Sequence, residues 1–182
     1  WYNKALQQRN VLLKNEEKAI DPDLLELWEE QLVTDGNYIH RERKAFIGAF
    51  TPIFNRFYAR ISRSNEDVAF SYDSQLNDED FGARLRRNRQ RDIMLGHTTT
   101  GIHRDELEML LDGYPVRKVG SQGQNKTFFV SMKLAQFHFL LQTGRTTPIL
   151  LLDDIFDKLD ASRVEEIVKL VSGPEFGQIF LS

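Results

Sequence analysis

Three groups of residues in this 182-residue sequence have types and spacings suited to chemistry on phosphates. Asp153 and Asp154 close the aliphatic run Ile149-Leu150-Leu151-Leu152, which Pro148 opens. Two adjacent carboxylates raise each other's pKa unless a counter-ion holds them ionised, and a divalent cation is the economical choice. In that reading Asp153 binds Mg²⁺ through water, while Asp154 orients and deprotonates an attacking water in a phosphate-binding ATPase. A core strand that runs into an acidic turn has the same pattern. The second group is Gly120-Ser121-Gln122-Gly123-Gln124, ahead of a long apolar stretch. A glycine-containing loop that opens a helix presents unpaired N–H groups at the positive end of the helix dipole. Ser121, Gln122, Gly123 and Gln124 therefore suit an anion such as a phosphate. An ordinary helix cap looks alike. The third group is Arg84, Arg86, Arg87, Arg89 and Arg91, a guanidinium density suited to nucleic-acid backbone. A solvated or salt-bridged face is the alternative.

Each group needs an element to position it. Ile149 to Leu152 is too short for a membrane span or an independent helix and reads as a strand buried on both faces, in the middle of a sheet. Its acids would then stand at the carboxyl edge, where open α/β sheets place ligands. Phe128 to Leu141, nearly free of charge, reads as a largely buried helix opened by the Ser-Gln loop. Leu107 to Val119 holds two apolar runs separated by Asp112-Gly113, a hairpin signal. Val68 to Tyr72 reads as a strand, and Asn77 as the cap of a helix from about Asp78 to Asn88 that carries the arginines. Residues 1 to about 62 read as helices. The first ends near Asn15, and Asp21-Pro22 supplies an N-cap and a first-turn proline for a long second one. Leu25, Trp28, Leu32, Ile39, Phe46, Phe50, Phe54, Phe57 and Ile61 form one apolar stripe at helical spacing, and Thr51-Pro52 predicts a kink or a new start.

Composition bounds the rest. With 24 basic and 27 acidic side chains the net charge is −3, so a nucleic-acid site must come from local clustering. The 41% hydrophobic content suffices for a core, and the absence of cysteine excludes disulfides and thiolate metal sites. No apolar run approaches the roughly 20 residues of a membrane helix, and a cytoplasmic setting is expected. The opening Trp1-Tyr2 and the apolar run Ile179-Phe180-Leu181 at the other end suggest a piece of a larger protein.

Ordered motifs then carry a resemblance. Gly101-Ile102-His103-Arg104-Asp105-Glu106-Leu107, Gly120 to Gln124, and Ile149 to Asp154 followed by Asp157-Lys158-Leu159-Asp160 resemble the bacterial RecF family of replication and repair proteins. Tyr2, Gln8-Arg9-Asn10 and the stretch 28–61 resemble its helical arm. That family has a head like that of ABC-type ATPases, similar to Rad50 and SMC heads without their long coiled coil. The resemblance implies an α/β fold, the carboxyl-terminal part of such a head with an inserted helical arm: residues 1–95 as arm, 96–182 as head. It places Ser121, Gln122, Gly123 and Gln124 in the signature motif that contacts ATP held by another protomer. Asp153 falls on the magnesium aspartate of Walker B, Asp154 on the catalytic acid and Asp160 on the D-loop aspartate.

The resemblance further implies an ATP-dependent homodimer, a weak ATPase acting with Mg²⁺, which binds double-stranded DNA and single-strand gaps. It implies partners similar to RecO and RecR, and help in loading a recombinase; from their density alone, Arg84, Arg86, Arg87 and Arg89 are the candidate DNA contacts, and no membrane partner is expected. Departures are Ile102 where the family has Pro, Glu106 where it has Asp, and Asn125-Lys126 where it has Gln-Arg. Lys126 keeps a charge without the planar fork of Arg. No G-x-x-x-x-G-K-[ST] loop occurs in the sequence, so the stretch alone is expected not to hydrolyse ATP or hold it tightly. The rival readings are an SMC-like or Rad50-like head, a transporter's nucleotide-binding subunit, and a non-enzymatic interaction module.

Overall fold

Asp21 and Pro22 begin the longest element. In the computed structural model, which describes residues 1–14, 19–64, 66–144, 146–153, 157–174 and 176–181, helix α1 spans Tyr2–Leu13 and α2 spans Pro22–Ser62. The Asp21 carboxylate accepts from the N–H groups of Asp23 and Leu24, and Pro22 occupies the first helical position, where its missing N–H costs nothing. Pro52 lies inside α2 without a new helix start. An internal proline costs about 3 kcal/mol. Burial of Phe50, Phe54, Phe57 and Ile61 around it supplies a compensating force of about 1.5–3 kcal/mol per fully buried side chain.

Contacts divide the chain into two compact units, Trp1–Ala45 with Tyr72–Leu107, and Phe46–Ser71 with Glu108–Ser182. They do not follow one boundary at residue 95. The apolar stripe of α2 contributes to both interiors, Leu32 to the first and Phe50 to Ile61 to the second.

The first unit packs α1, the first half of α2 and α3 (Phe81–Leu95) around Tyr2, Ala5, Leu32, Phe81, Leu85 and Ile102. Helix α3 starts later than the sequence suggests. Asp80, not Asn77, is its cap and accepts from Ala83 N at 2.8 Å. Both residues are capable caps; burial of Phe81 in the core sets the start at Asp80, and Asn77 instead donates to Tyr72 O. At the other end Gly96 terminates α3 in the left-handed conformation, φ 66°.

The second unit holds β3 (Tyr114–Pro115), α4 (Val116–Val119), α5 (Gln122–Thr143), β4 (Leu150–Leu152), α6 (Ala161–Val171) and β5 (Ile179–Leu181). Strands β1 (Val68–Asp73) and β2 (Glu106–Leu111) form a sheet with β3 in the order β1-β2-β3. The hairpin between β2 and β3 is antiparallel, with Leu110 opposite Pro115 and Leu111 opposite Tyr114. Asp112 and Gly113 both have positive φ, 50° and 80°, as a two-residue type I′ turn requires.

Strand β4 runs parallel to β5, Leu150 beside Ile179 and Leu151 beside Phe180. The expectation that it is buried on both faces and central in a sheet is not met. Leu150 and Leu152 are buried, but Leu151 is 67% exposed and its neighbour Phe180 61%. Among the described residues the sheet has these two strands alone, so one face packs into the core with Ile167, Leu170 and Val171 while the other has no cover. No helix among the described residues is long and apolar enough to cross a membrane.

Candidate nucleotide-contact site

The residues Gly120 to Gln124 form less of a loop than their composition suggests. Gly120 is extended, Ser121 is the N-cap of α5, and Gln122, Gly123 and Gln124 are the first helical turn. Ser121 Oγ accepts from Gln124 N at 3.2 Å, and Gln124 Oε1 accepts from Ser121 N at 2.8 Å, a complete capping box. The cap consumes two donors and leaves others. Among the described residues, no acceptor meets the N–H groups of Gln122 and Gly123 or the hydroxyl proton of Ser121. These three donors stand at the positive end of a 22-residue helix, where an anion is favoured.

Helix α6 brings its own start to the same place. Asp160 caps it, accepting from Arg163 N at 3.0 Å and from Ser162 Oγ at 2.6 Å. These bonds, the Ser162 hydroxyl first, hold the exposed Asp160 carboxyl below the usual range, so it is ionised. A Cβ on Gly123 would lie 3.0 Å from Arg163 Nη1 and 3.5 Å from Lys158 O, so the first turn of α5 and the Asp157-Lys158-Leu159-Asp160 turn are in contact. Lys158 adopts φ 64°, a left-handed conformation that costs a non-glycine residue about 1–2 kcal/mol. Between the two turns lies an open cavity of about 510 Å³ lined by Gln122, Asn125, Lys126, Phe129, Asp157 and Lys158.

The cavity fits a phosphate-bearing ligand in part. Its size falls in the range of small-molecule sites, and it is lined by Gln122 of the first turn of α5 and by two lysines. Among its described lining residues, no loop wraps a whole triphosphate. For Mg²⁺ the described residues offer less. Asp153 is exposed at the end of β4, Asp154 lies outside the described residues, and no group of three acidic or histidine side chains is gathered among the described ones. Magnesium is commonly held by one or two carboxylates, water and substrate phosphates, so Asp153 would be a sufficient protein ligand.

The arginine group is elsewhere and differently engaged. In the first unit Arg87 forms a two-point pair with Glu79, Arg84 lies 3.7 Å from Glu79 and donates to Gln75 O, and Arg89 pairs with Glu29 at 2.6 Å. Arg86 and Arg91 are exposed and meet no acid at ion-pair distance among the described residues.

Two partners of the first turn of α5 carry no motif. Glu66 accepts from Gln124 Nε2 at 2.8 Å and from the Tyr58 hydroxyl at 2.6 Å, and Arg163 abuts Gly123. Glu66 lies 58 residues from Gln124, a separation that no local pattern reveals. The spacing of Arg163 from Asp160, one helical turn, is the signal that was there to find.

No family model matches the chain. Curated relatives do, each called DNA replication and repair protein RecF. The protein of Bacteroides thetaiotaomicron is 55% identical over 181 residues, that of Parabacteroides distasonis 56% over 181, and that of Porphyromonas gingivalis 52% over 182. All three cover the whole of this chain, which spans about half the length of these relatives, 49%, 49% and 50%. Two solved structures of the recombination mediator protein RecF in the RecFOR pathway, RecF-ATPrS and RecF-ATP, superpose with TM-scores of 0.80 and 0.83 at 30% identity. They cover all of this chain and 51% and 50% of their own. The fold is the α/β arrangement of those structures, and the chain belongs to the RecF family.

Proposed function

We propose that this chain works as part of a longer, cytoplasmic ATP-dependent DNA-binding protein of recombinational repair, as the carboxyl-terminal part of an ABC-type ATPase head with a helical arm. The carrying observation is the first turn of α5, where among the described residues the Ser121 hydroxyl proton and the Gln122 and Gly123 N–H groups meet no acceptor, beside the Asp157–Asp160 turn. Such donors contact the terminal phosphate of an ATP held by a second copy, so ATP closes a homodimer in which each copy completes the other's site. ATP with its metal supplies the charge that those donors meet, and Asp153 would be the metal's protein ligand. Asp154 is proposed as the acid that orients water. The chain's relatives include structures of RecF-ATP, which supports the nucleotide, and the name RecFOR pathway supports repair partners similar to RecO and RecR at single-strand gaps. Of the arginines, Arg86 and Arg91 are the ones that meet no acid among the described residues and suit a DNA backbone, because Glu79 and Glu29 occupy Arg84, Arg87 and Arg89.

The test is Ser121→Arg in the full-length protein. A bulky cation at the cap blocks close approach of the turn to a partner's phosphate while leaving the copy's own nucleotide site untouched. Light scattering with ATP is expected to show a monomer, and calorimetry an unchanged monomer affinity for ATP. A variant that dimerises like the parent would sink the proposal.

A further inference from the structure

Gln124 is held at both ends. Its Oε1 closes the cap on Ser121 N, and its Nε2 donates to Glu66, a residue in the connection between α2 and β1. Burial pushes the Glu66 carboxyl up, but hydrogen bonds from Tyr58 and Gln124 and the charge of Arg163 outweigh it and hold the group below its usual range. Burial first, and Glu66 second, push the Tyr58 hydroxyl well above its ordinary value. The pair is thus a carboxylate and a neutral phenol that can donate to it. Arg163 completes the arrangement, with Nη1 against Gly123 and Nε 3.4 Å from Asp160.

We propose that Glu66 and Arg163 are positioning residues for the nucleotide-contact turn. Glu66 locks the Gln124 rotamer, so the cap stays closed and the N–H groups of Gln122 and Gly123 keep their direction before any ligand arrives. Arg163 sets the spacing between the signature turn and Asp160, its guanidinium occupying the space that a side chain at position 123 would need. Donors fixed in advance spend less of their binding energy on ordering, which matters most for a contact assembled only when two copies meet. This inference rests on the proposed role of the α5 turn across two copies.

Neither residue touches the nucleotide in this scheme, so the test can separate positioning from contact. In the full-length protein, Glu66→Ala removes the acceptor, and Glu66→Gln keeps the shape and one carbonyl acceptor. Loss of a hydrogen bond to a charged group predicts about a tenfold weaker ATP-driven dimer for Glu66→Ala, with a smaller loss for Glu66→Gln. Monomer affinity for ATP stays at the parental value in both. Without ATP, the amide hydrogens of Ser121 and Gln124 exchange faster in Glu66→Ala, a reading that holds whether or not dimers form. If Glu66→Ala fails to fold, Glu66→Gln and Tyr58→Phe carry the same measurements. Parental dimerisation with parental exchange in the variants would overturn the proposal, as would an equal loss of monomer ATP affinity and of dimerisation, which marks general damage. A parent that stays monomeric with ATP would remove the reading beneath it instead.

Discussion

In the first unit the interior is organised around a cation; in the second it is organised around aromatic rings. Arg9, fully buried, donates from Nε and Nη2 to Glu29 at 3.2 and 2.9 Å and from Nη1 to Asp92 and Thr98 at 2.7 and 2.8 Å. Arg89 reaches Glu29 from the other side, and Thr99 N and Asn10 Oδ1 engage Asp92 and Thr98. Phe54, equally buried, instead lies 4.6 Å from Phe128 and 4.8 Å from Phe70, ring centre to ring centre, among Tyr58, Phe137 and Phe176. The second unit buries hydroxyls such as Thr127 and Ser131 but no charged side chain among the described residues; Glu66, Gln124 and Asp160 are at least partly exposed. A charge network specifies its geometry through many directed bonds and fails as a unit. A ring cluster tolerates adjustment and loses stability by the volume removed.

The comparison is sharpened first by paired deletions. Arg9→Met is expected to cost about 3–5 kcal/mol, because it strands the buried Asp92 without its counter-ion and leaves Glu29 with Arg89 alone, and adding Glu29→Gln and Asp92→Asn recovers part of that loss. Phe54→Ala costs a similar amount, about 3–5 kcal/mol, through the cavity it leaves, and no change of charge restores it. Denaturant unfolding of the variants measures both. Failure of the neutralised triple variant to recover would show that packing, and not charge, carries the Arg9 hub.

A smaller effect separates the units by pH. His103 Nε2 faces Thr98 O at 3.2 Å and must donate there, so Nδ1 accepts from the Tyr2 hydroxyl at 2.9 Å and the ring is neutral. Burial lowers its pKa from 6.5, with Arg104 acting in the same direction and Thr98 O, Asp105 and Asp92 opposing. The unfolded chain therefore takes up this proton first. The contribution is complete above pH 6.5 and declines as pH falls from there to the folded value. Glu66 in the second unit has a lowered pKa, so its contribution is complete above 4.5 and is lost only as pH falls through its folded value. Hydrogen exchange at pH 7.5 and 5.5 is expected to show protection falling around Tyr2 and Ile102 and holding around Gln124. His103→Gln removes the first change.

The smallest expected effect lies in the turn beside the site. Lys158→Gly relieves a left-handed conformation but raises the backbone entropy of the unfolded chain, which offsets part of the relief and leaves a net gain of about 0.5–1 kcal/mol in thermal unfolding. A loss of stability would mean that the Lys158 side chain contributes more than its strain costs.

What could be read from the residues was local. Asp21-Pro22 fixed the start of α2, Asp112-Gly113 the hairpin, and the Ser121–Gln124 spacing a cap, because each rests on bonds within a few residues. Arg84, Arg87 and Arg89 were legible as a cluster with a salt-bridged face as one reading, but the partner of Arg89 was not, since Glu29 lies 60 residues from it. The run Ile149 to Leu152 announced a strand and not its exposed face, since burial depends on how many neighbours a strand finds. Glu66, isolated in a connection, gave no sign of its tie to Gln124.

In the proposed dimer the α5 turn acts on a nucleotide held by another copy, and mixing two full-length variants tests this most directly. Ser121→Arg keeps its own nucleotide site and spoils the turn; Asp153→Ala spoils its own metal site and keeps the turn. Each alone is expected to hydrolyse ATP at background. Mixed, they form pairs in which the intact turn of one meets the intact nucleotide site of the other, and hydrolysis rises well above either alone. A mixture that hydrolyses only at the average of its two components would contradict the claim.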